Sequence, residues 1–224
     1  MQFYYIRHGQ SKNNLLYATT GSDIGRNCDP ELTETGRQQT ELLIDYLQQE
    51  DINLTHLYTS LMVRAVSTGW VVANRLGLPL VAWPDLHEEG GIFLNNEQGD
   101  PIGQPGKNKA YFEVNYPGLV LPETVNPLGW WNRPFEATAE RPVRARRFLQ
   151  DLFTRHGGTE HRVAVFSHAG FYNLVLSALL NLPDNHTLWF TLNNSAVTRL
   201  DFYLDRTEFV FHNRVNFLPR ELIT

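Results

Sequence analysis

The sequence is short of cysteine and lysine and contains no long apolar run, and these shortages exclude whole classes of protein. Its single cysteine, Cys28, cannot form an intramolecular disulfide or a cysteine-based metal cluster. The longest apolar stretches, such as Leu174 to Leu180, fall well short of the ~20 residues that a membrane-spanning helix requires. The first residues read as a strand and not as a secretory signal. We therefore expect a cytoplasmic protein with no membrane partner.

The charge balance argues against a protein that binds nucleic acid. The 224 residues include 24 acidic and 19 basic side chains, a net charge of −5, and 42% of them are hydrophobic. Only three of the basic residues are lysines. An anionic substrate must therefore be held by a local cationic pocket, for which the planar guanidinium of arginine is well suited.

Alternating strand and helix patterns predict an α/β fold in a single domain, residues 1–224. We expect three layers, with a mainly parallel sheet flanked by helices on both faces and a C-terminal antiparallel hairpin around Asp205-Arg206. The predicted strands are 3–6, 54–60, 80–83, 162–167, 197–204 and 208–215. The predicted helices are 62–76, 138–156, 170–180 and a helix through Gln49 that Thr33 caps.

One stretch, residues 89–133, breaks the alternation and reads as a long connection without regular structure. It is rich in glycine, proline, asparagine and aromatic residues. Because such long connections are usually functional, we predict an ordered lid over the active site. Its aromatic residues suggest an apolar lining that favours an organic or sugar phosphate over a phosphoprotein; they are Phe93, Tyr111, Phe112, Tyr116, Trp130 and Trp131.

Polar residues follow four of the predicted strands, where a buried strand would not need them. Arg7 and His8 end the first strand, Arg64 lies in the helix after the second, and Glu88 and His168 follow the third and fourth. If the strands are parallel, these residues converge on one edge of the sheet. Two cations, two imidazoles and a carboxylate around one crevice describe a phosphoryl-transfer site that needs no metal.

Several short motifs accompany these strand ends. They are Arg7-His8-Gly9-Gln10-Ser11 with Asn14, Thr20-Gly21, Asp29 with Leu32-Thr33 and Gly36, Leu86-His87-Glu88, and Ser167-His168-Ala169-Gly170. Together they resemble the motifs of the histidine phosphatase superfamily, in its phosphoglycerate-mutase-like branch. The sequence departs from that pattern around residues 23–28 and 89–133, which we expect to line the substrate side of the pocket. We read Gly9 as leaving room for an approaching anion.

The resemblance implies that His8 attacks phosphorus and becomes phosphohistidine, which water then cleaves. It implies that Arg7, Arg64 and His168 bind the non-bridging phosphate oxygens. It implies neither a metal nor another cofactor.

The remaining roles leave alternatives open. The resemblance implies that Glu88 protonates the leaving oxygen, with Glu89 as the alternative acid. Asn14 is implied as a neutral donor to the phosphate, or else it is an ordinary capping residue. Arg133, Lys107 and Lys109 either reach an anionic group of the substrate or are simply exposed.

The function expected is a metal-independent phosphatase that acts on phosphate monoesters of small metabolites. The alternatives are a phosphoglycerate-mutase-type isomerase and a non-catalytic module that binds phosphoryl groups. A metal-dependent hydrolase built on His87-Glu88-Glu89 lacks the His-Glu-x-x-His pattern.

We assign no functional role to two further groups of residues. The arginines of the long helix, 141, 144, 146 and 147, read as a solvated surface, and the histidines 56, 156, 161, 186 and 212 lack metal-ligand spacing.

Overall fold

A computed structural model of the chain describes residues 1–125 and 127–224, which contain both strands and helices. The strands are β1 (Gln2–Arg7), β2 (His56–Thr59), β3 (Leu80–Ala82), β4 (Phe93–Asn95), β5 (Pro101–Gly103), β6 (Arg162–Ser167), β7 (Val197–Phe202) and β8 (Thr207–Arg214). The helices are α1 (Lys12–Thr20), α2 (Glu34–Gln49), α3 (Val63–Leu76), α4 (Lys109–Asn115), α5 (Glu140–His156) and α6 (Ala169–Leu179). Within the described residues, no helix has the length and apolar character to cross a bilayer.

Six strands form one mixed sheet in the order β3-β2-β6-β1-β7-β8. The first four are parallel to one another, whereas β7 is antiparallel to both β1 and β8. The predicted α/β class, with a mainly parallel sheet and a C-terminal antiparallel pair, is confirmed. Because the four parallel strands are adjacent, their carboxyl ends share one edge of the sheet.

Both faces of the sheet are covered, and strand β1 shows how. Its side chains alternate, so that Phe3 and Tyr5 face one layer of helices while Tyr4 and Ile6 face the other. The first layer contributes Phe148, Leu152, Phe171 and Leu176, and the second contributes Leu43, Leu47 and Val72. Burial of each large apolar side chain contributes on the order of 1.5–3 kcal/mol, which makes the central strands the anchor of the fold.

Local signals set several of the helix ends as expected. The Thr33 hydroxyl accepts a hydrogen bond from the backbone N–H of Gly36 (3.0 Å) and caps α2. Helix α3 ends at Gly77, which adopts a left-handed φ of +67°. The helix predicted from residue 138 begins at Glu140, and the strand predicted over 54–60 is only His56–Thr59. Apolar patterning marks which residues are buried, and it does not mark where the backbone hydrogen bonds end.

Helix α1 was not predicted, and its composition explains why. None of its residues is buried, so it has no apolar stripe. Its signal is a capping box, in which Asn14 N–H donates to the Ser11 hydroxyl while the Asn14 side chain accepts from the Ser11 backbone N–H. This cap places α1 directly after the His8 segment.

The prediction that residues 89–133 lack regular structure was wrong. The segment contains the antiparallel pair β4–β5 and helix α4, which are too short, at three and seven residues, to show a periodic pattern. It is anchored in the core: Ile92 and Trp131 pack with Met62, and Phe112 packs with Val66. Asn126, which falls in this segment, lies outside the described residues.

The prediction that the arginines of α5 form a solvated surface was wrong for Arg144, which is 2% exposed. Its guanidinium forms two hydrogen bonds to the Glu136 carboxylate, of 2.6 and 2.9 Å. It also donates to the carbonyl oxygens of Asp85 and His87. A buried charge of this kind requires such full pairing. Arg144 thereby holds the chain segment that leads into Glu88.

Candidate active site

The carboxyl edge of the four parallel strands carries a cavity of about 190 Å³. Four of the predicted residues line it together: Arg7, His8, Arg64 and Glu88. The fifth, His168, lies beside His8, with 5.1 Å between the ring centroids. The rest of the lining is Ser11, Asn13, Asn14, Leu16, Asp23 and Arg26. The fold therefore brings together residues that are up to 161 positions apart in sequence.

His8 presents one defined ring nitrogen to this cavity. Its Nδ1 lies 2.6 Å from the carbonyl oxygen of Gly9, which can only accept, so Nδ1 carries the proton. Its Nε2 keeps a lone pair and accepts a hydrogen bond from Nε of Arg64 (3.1 Å). Burial, reinforced by the charges of Arg64 and Arg7, holds the pKa of His8 well below its ordinary value. At neutral pH the ring is uncharged and Nε2 is a potential nucleophile.

Arg7 contributes a guanidinium that is only partly satisfied. Its Nη1 donates to the carbonyl oxygen of Leu192 (2.5 Å), whereas its buried Nε has no partner among the described residues. Burial lowers the pKa of Arg7 to about 10, and the charge of Glu88 opposes this shift. Arg7 is therefore still a cation at neutral pH, with donor capacity left for an anion.

The position of Arg64 depends on Asp29, which caps the helix that carries it. Oδ1 of Asp29 accepts from the backbone N–H of Val63, the first residue of α3, at 2.9 Å. Burial raises the pKa of Asp29 to about 6, and Arg64 is the largest opposing influence. A cation in the first turn opposes the helix dipole, and this nearby carboxylate offsets part of that cost.

His168 is buried, and only one of its ring nitrogens has a partner. Its Nε2 lies 2.9 Å from the Ser60 hydroxyl oxygen, which also accepts from the backbone N–H of Met62. Its Nδ1 has no partner among the described residues. Burial and the charge of Arg64 lower the pKa of His168 well below the ordinary value. When Ser60 donates its proton to Nε2, Nδ1–H is a neutral, unpaired donor.

Glu88 is held at the N-terminus of α6. Its Oε1 accepts from the backbone N–H groups of Glu89 (2.9 Å) and Phe171 (2.8 Å), and its Oε2 accepts from that of Gly170 (3.1 Å). The alternative acid, Glu89, instead forms an ion pair with Arg141 (2.8 Å). Between the two glutamates, the structure places Glu88 in the lining of the cavity.

The structure gives a different reason for Gly9 than room for an anion. A Cβ on Gly9 would collide with the carbonyl oxygen of Gly36, and one on Gly36 would collide with the carbonyl oxygen of Gln10. The two backbones thus touch where the His8 loop meets the start of α2. Gln39 adds a hydrogen bond from the Gln10 N–H (2.8 Å). Gly9 and Gly36 are needed for this close approach.

Asn14 caps α1, which is one of its two predicted alternatives, and it also lines the cavity. Its role as a donor to the phosphate stays a prediction. Its Oδ1 accepts from Ser11 and from Nδ2 of Asn194, which leaves its own Nδ2 as a donor. Asn194 itself was missed in the sequence. It is buried and its Nδ2 donates to the carbonyl oxygen of His8 (3.0 Å), next to Ser195 with its left-handed φ of +56°. No glycine marks this turn in the sequence.

Arg26 is the second residue that sequence reasoning missed. It belongs to the segment of residues 23–28 that departs from the family pattern, and it lines the cavity with Asp23. Its guanidinium stacks on the ring of Phe93 (4.2 Å to the centroid), while its buried Nε has no partner among the described residues. The sequence feature that could have identified Arg26 is its position, as an arginine within the extra residues expected on the substrate side of the pocket.

The predicted aromatic lining was wrong. Within the described residues, none of the six aromatic side chains of segment 89–133 lines the cavity, and Phe93 reaches it only through Arg26. Tyr111 and Tyr116 line a separate cavity of about 400 Å³ that contains neither His8 nor His168. Trp130 and Trp131 pack around the buried His87 ring. These two tryptophans were predicted to line the cavity, and they instead pack against the core.

The other candidate cations also have partners away from the cavity. Arg133 lies over the Trp131 ring and 3.2 Å from Nε2 of His87. Lys107 lies over the Tyr111 ring, and Lys109 is 3.6 Å from Glu113. In the described lining, the cations are Arg7, Arg26 and Arg64.

Comparison with known proteins agrees with the motifs. The sequence model described as "Histidine phosphatase superfamily (branch 1)" matches residues 3–215. A curated relative, the probable phosphoglycerate mutase GpmB of Yersinia pestis (strain Pestoides F), is 26% identical over 203 residues, which are 90% of this chain and 85% of the relative.

Solved structures share the fold over nearly the whole chain. Phosphoserine phosphatase of Entamoeba histolytica in complex with 3-phosphoglyceric acid is 19% identical, with 97% of this chain and 99% of that chain covered and a TM-score of 0.64. A putative alpha-ribazole-5′-P phosphatase of Escherichia coli is 17% identical, with 96% of each chain covered and a TM-score of 0.67. At these identities the likeness concerns the fold.

The lowered pKa of His8 predicts an unusual titration. Because burial and two guanidinium groups disfavour the imidazolium, His8 keeps a neutral ring as the pH falls through about 6.5, where an ordinary histidine takes up a proton. NMR of the histidine ring C–H groups, assigned with His8→Ala, measures this. The exposed or half-exposed histidines provide the comparison within the same spectrum. A His8 midpoint at or above about 6.5 would contradict the electrostatic account.

Proposed function

The chain belongs to branch 1 of the histidine phosphatase superfamily, and we propose that it is a metal-independent phosphatase that hydrolyses phosphate monoesters of small metabolites. The observation that carries the proposal is that hydrogen-bond donors without partners lie close to the ring of His8. A neutral imidazole with an unprotonated Nε2 lies beside two buried nitrogens without described partners, Nε of Arg7 and Nδ1 of His168. Each unpaired buried donor costs about 1–3 kcal/mol, and phosphate oxygens are acceptors that would satisfy them.

In the first step, Nε2 of His8 attacks phosphorus, and the P–N bond forms as the bond to the leaving oxygen breaks. Arg64 Nε, which donates to Nε2 in the free chain, transfers its hydrogen bond to a phosphate oxygen and releases the lone pair. Arg7, Arg64 and the Nδ1–H of His168 bind the non-bridging oxygens, and Asn14 adds a neutral donor. These groups stabilise charge that is spread over the oxygens in the transition state.

In the same step, Glu88 acts as the general acid that gives a proton to the leaving oxygen. In the second step the ionised Glu88 takes a proton from water, which attacks the phosphohistidine; the P–N bond breaks and inorganic phosphate leaves. Three backbone N–H groups fix the Glu88 carboxyl group, so that it does not need to reorient between the two steps.

The same first step would serve a mutase, and the two functions differ in whether water reaches the phosphoenzyme. A mutase must return the phosphoryl group to bound substrate and exclude water. Residues 23–25, on the side of the cavity formed by Asp23 and Arg26, are exposed to solvent. The solved neighbours described as phosphatases support hydrolysis, whereas the curated relatives described as probable mutases keep isomerisation as the second candidate.

We further propose that residues 1–224 form one domain, in which the segment 89–133 was expected to act as the lid. The segment supports the cavity from outside, since Phe93 carries the Arg26 guanidinium. Ile92, Phe112 and Trp131 anchor the segment in the core, which favours a fixed support over a mobile lid.

Turnover of a panel of phosphate monoesters in the presence of a chelator tests the proposal. We expect release of inorganic phosphate, an acid-labile and base-stable phosphoenzyme after brief mixing, and loss of both in His8→Ala. The loss should exceed about a thousandfold, since the variant has no nucleophile. Arg75→Ala, an exposed arginine paired with Glu41, is the matched control and should retain activity.

The same assay separates the alternatives. With 3-phosphoglycerate and a bisphosphate primer, rapid isomerisation with little phosphate release would establish a mutase. Binding of phosphate monoesters with neither phosphate release nor a phosphoenzyme from any substrate would leave only the non-catalytic module. Either result contradicts the phosphatase.

Arg26 predicts which phosphate monoesters are preferred. Its unpaired Nε is available to a second anionic group of the substrate, such as a carboxylate. Arg26→Ala should raise KM for 3-phosphoglycerate about tenfold or more, the loss of one hydrogen bond to a charged group, with a smaller change in kcat. For p-nitrophenyl phosphate, which has no second anion, KM should change little. An equal loss with both substrates would show that Arg26 has no part in this selection.

A further inference from the structure

Three histidines meet at the edge of the sheet opposite to the catalytic cavity. His56 is the first residue of β2, His156 is the last residue of α5, and His161 immediately precedes β6. Strands β2 and β6 are parallel neighbours. His56 and His161 are therefore at the amino ends of strands whose carboxyl ends lead to Ser60 and His168. A strand of four to six residues separates the two sites, on the order of 13–20 Å.

The three rings contribute nitrogen atoms to one small volume. One nitrogen of each ring lies within 4.8 Å of the others. The shortest approach is between Nδ1 of His156 and Nδ1 of His161, at 3.0 Å. Around a tetrahedral zinc ion with Zn–N bonds of about 2.0–2.1 Å, neighbouring nitrogens lie about 3.3 Å apart. Small rotations of His56 and His161, which are both half-exposed, would bring the three atoms to that spacing.

The outer nitrogens of two rings already have the partners that orient metal ligands. Nε2 of the buried His156 lies 3.0 Å from the Tyr58 hydroxyl. If Nε2–H donates to that oxygen, Nδ1 is left unprotonated toward the cluster. Nδ1 of His56 likewise lies 2.9 Å from the Thr55 hydroxyl, which leaves Nε2 as its ligand atom. The guanidinium of Arg155 lies over the Trp83 ring (4.2 Å). Its positive charge disfavours a bound cation at the neighbouring His156.

We propose that His56, His156 and His161 form a binding site for one divalent transition metal ion of the zinc type. Three imidazoles favour Zn²⁺, Co²⁺, Ni²⁺ or Cu²⁺ over Mg²⁺ and Ca²⁺, which prefer oxygen ligands. The half-exposed side of the cluster leaves a fourth position for water. The ion joins the start of β2, the end of α5 and the start of β6, so its effect is on stability. The proposal does not depend on the function proposed for the His8 cavity.

Sequence spacing does not show this site. His156 and His161 are five residues apart across a turn, and His56 is a hundred residues earlier. Their association depends on the parallel pairing of β2 with β6 and on the packing of α5 over that face.

Titration of Zn²⁺ and Co²⁺ into the full chain, without a polyhistidine tag, tests the proposal. We expect one ion per chain by calorimetry, visible absorption bands typical of four-coordinate Co²⁺, and a rise in the unfolding temperature that depends on metal concentration. His56→Ala and His161→Ala should each weaken binding about tenfold or more. Both variants should keep the circular dichroism spectrum and the cooperative thermal unfolding of the metal-free wild type, which shows that they fold.

Two further variants separate a metal site from a structural cluster. Tyr58→Phe keeps the ring and removes only the oxygen that orients His156. It should lower the affinity for the metal ion about tenfold. The matched control is His186→Ala. His186 contacts Ser177 and lies outside the three-histidine cluster, so this variant should bind the metal ion as tightly as the wild type does. No binding to the wild type, or equal binding in wild type, His56→Ala and His161→Ala, would overturn the proposal.

Discussion

The hydrogen bond between Nδ1 of His8 and the carbonyl oxygen of Gly9 is the constraint on which the site depends. It fixes the ring tautomer, so that the lone pair is on Nε2. The bond in turn depends on the path of the loop, which is set by the contact between the Gly9 and Gly36 backbones. A neutral ring is maintained because burial and two guanidinium groups oppose its protonation. Under the proposed function, the nucleophile and the cations are coupled, because the charges proposed to bind phosphate are also those that keep the His8 ring neutral.

Much of the fold and of the site could be predicted from the sequence. Strand β6 has the predicted bounds, because its apolar run is bounded by polar residues on both sides. Thr33 and Gly77 gave helix ends through local hydrogen bonding and backbone conformation. The convergence of Arg7, His8, Arg64, Glu88 and His168 followed from parallel strands with polar residues at their carboxyl ends. Their chemical roles are part of the proposal.

The missed features depend on long-range contacts that no local pattern encodes. Arg144 is buried because Glu136 and two carbonyl groups contact it in the fold, although Arg146 and Arg147 on the same helix are exposed. Asn194 reaches the His8 carbonyl only after β7 pairs with β1. The aromatic residues of segment 89–133 were correctly expected to be ordered, but composition does not determine whether a side chain faces a cavity or the core.

The most direct test of the central claim is a crystal structure of the chain with orthovanadate, which imitates the transferring phosphoryl group. The account predicts vanadium bonded to Nε2 of His8, with Nδ1 still donating to the Gly9 carbonyl and the vanadate oxygens contacting Arg7, Arg64 and Nδ1 of His168. Vanadate bonded to His168, bonded through Nδ1 of His8, or bound away from this cavity would contradict it.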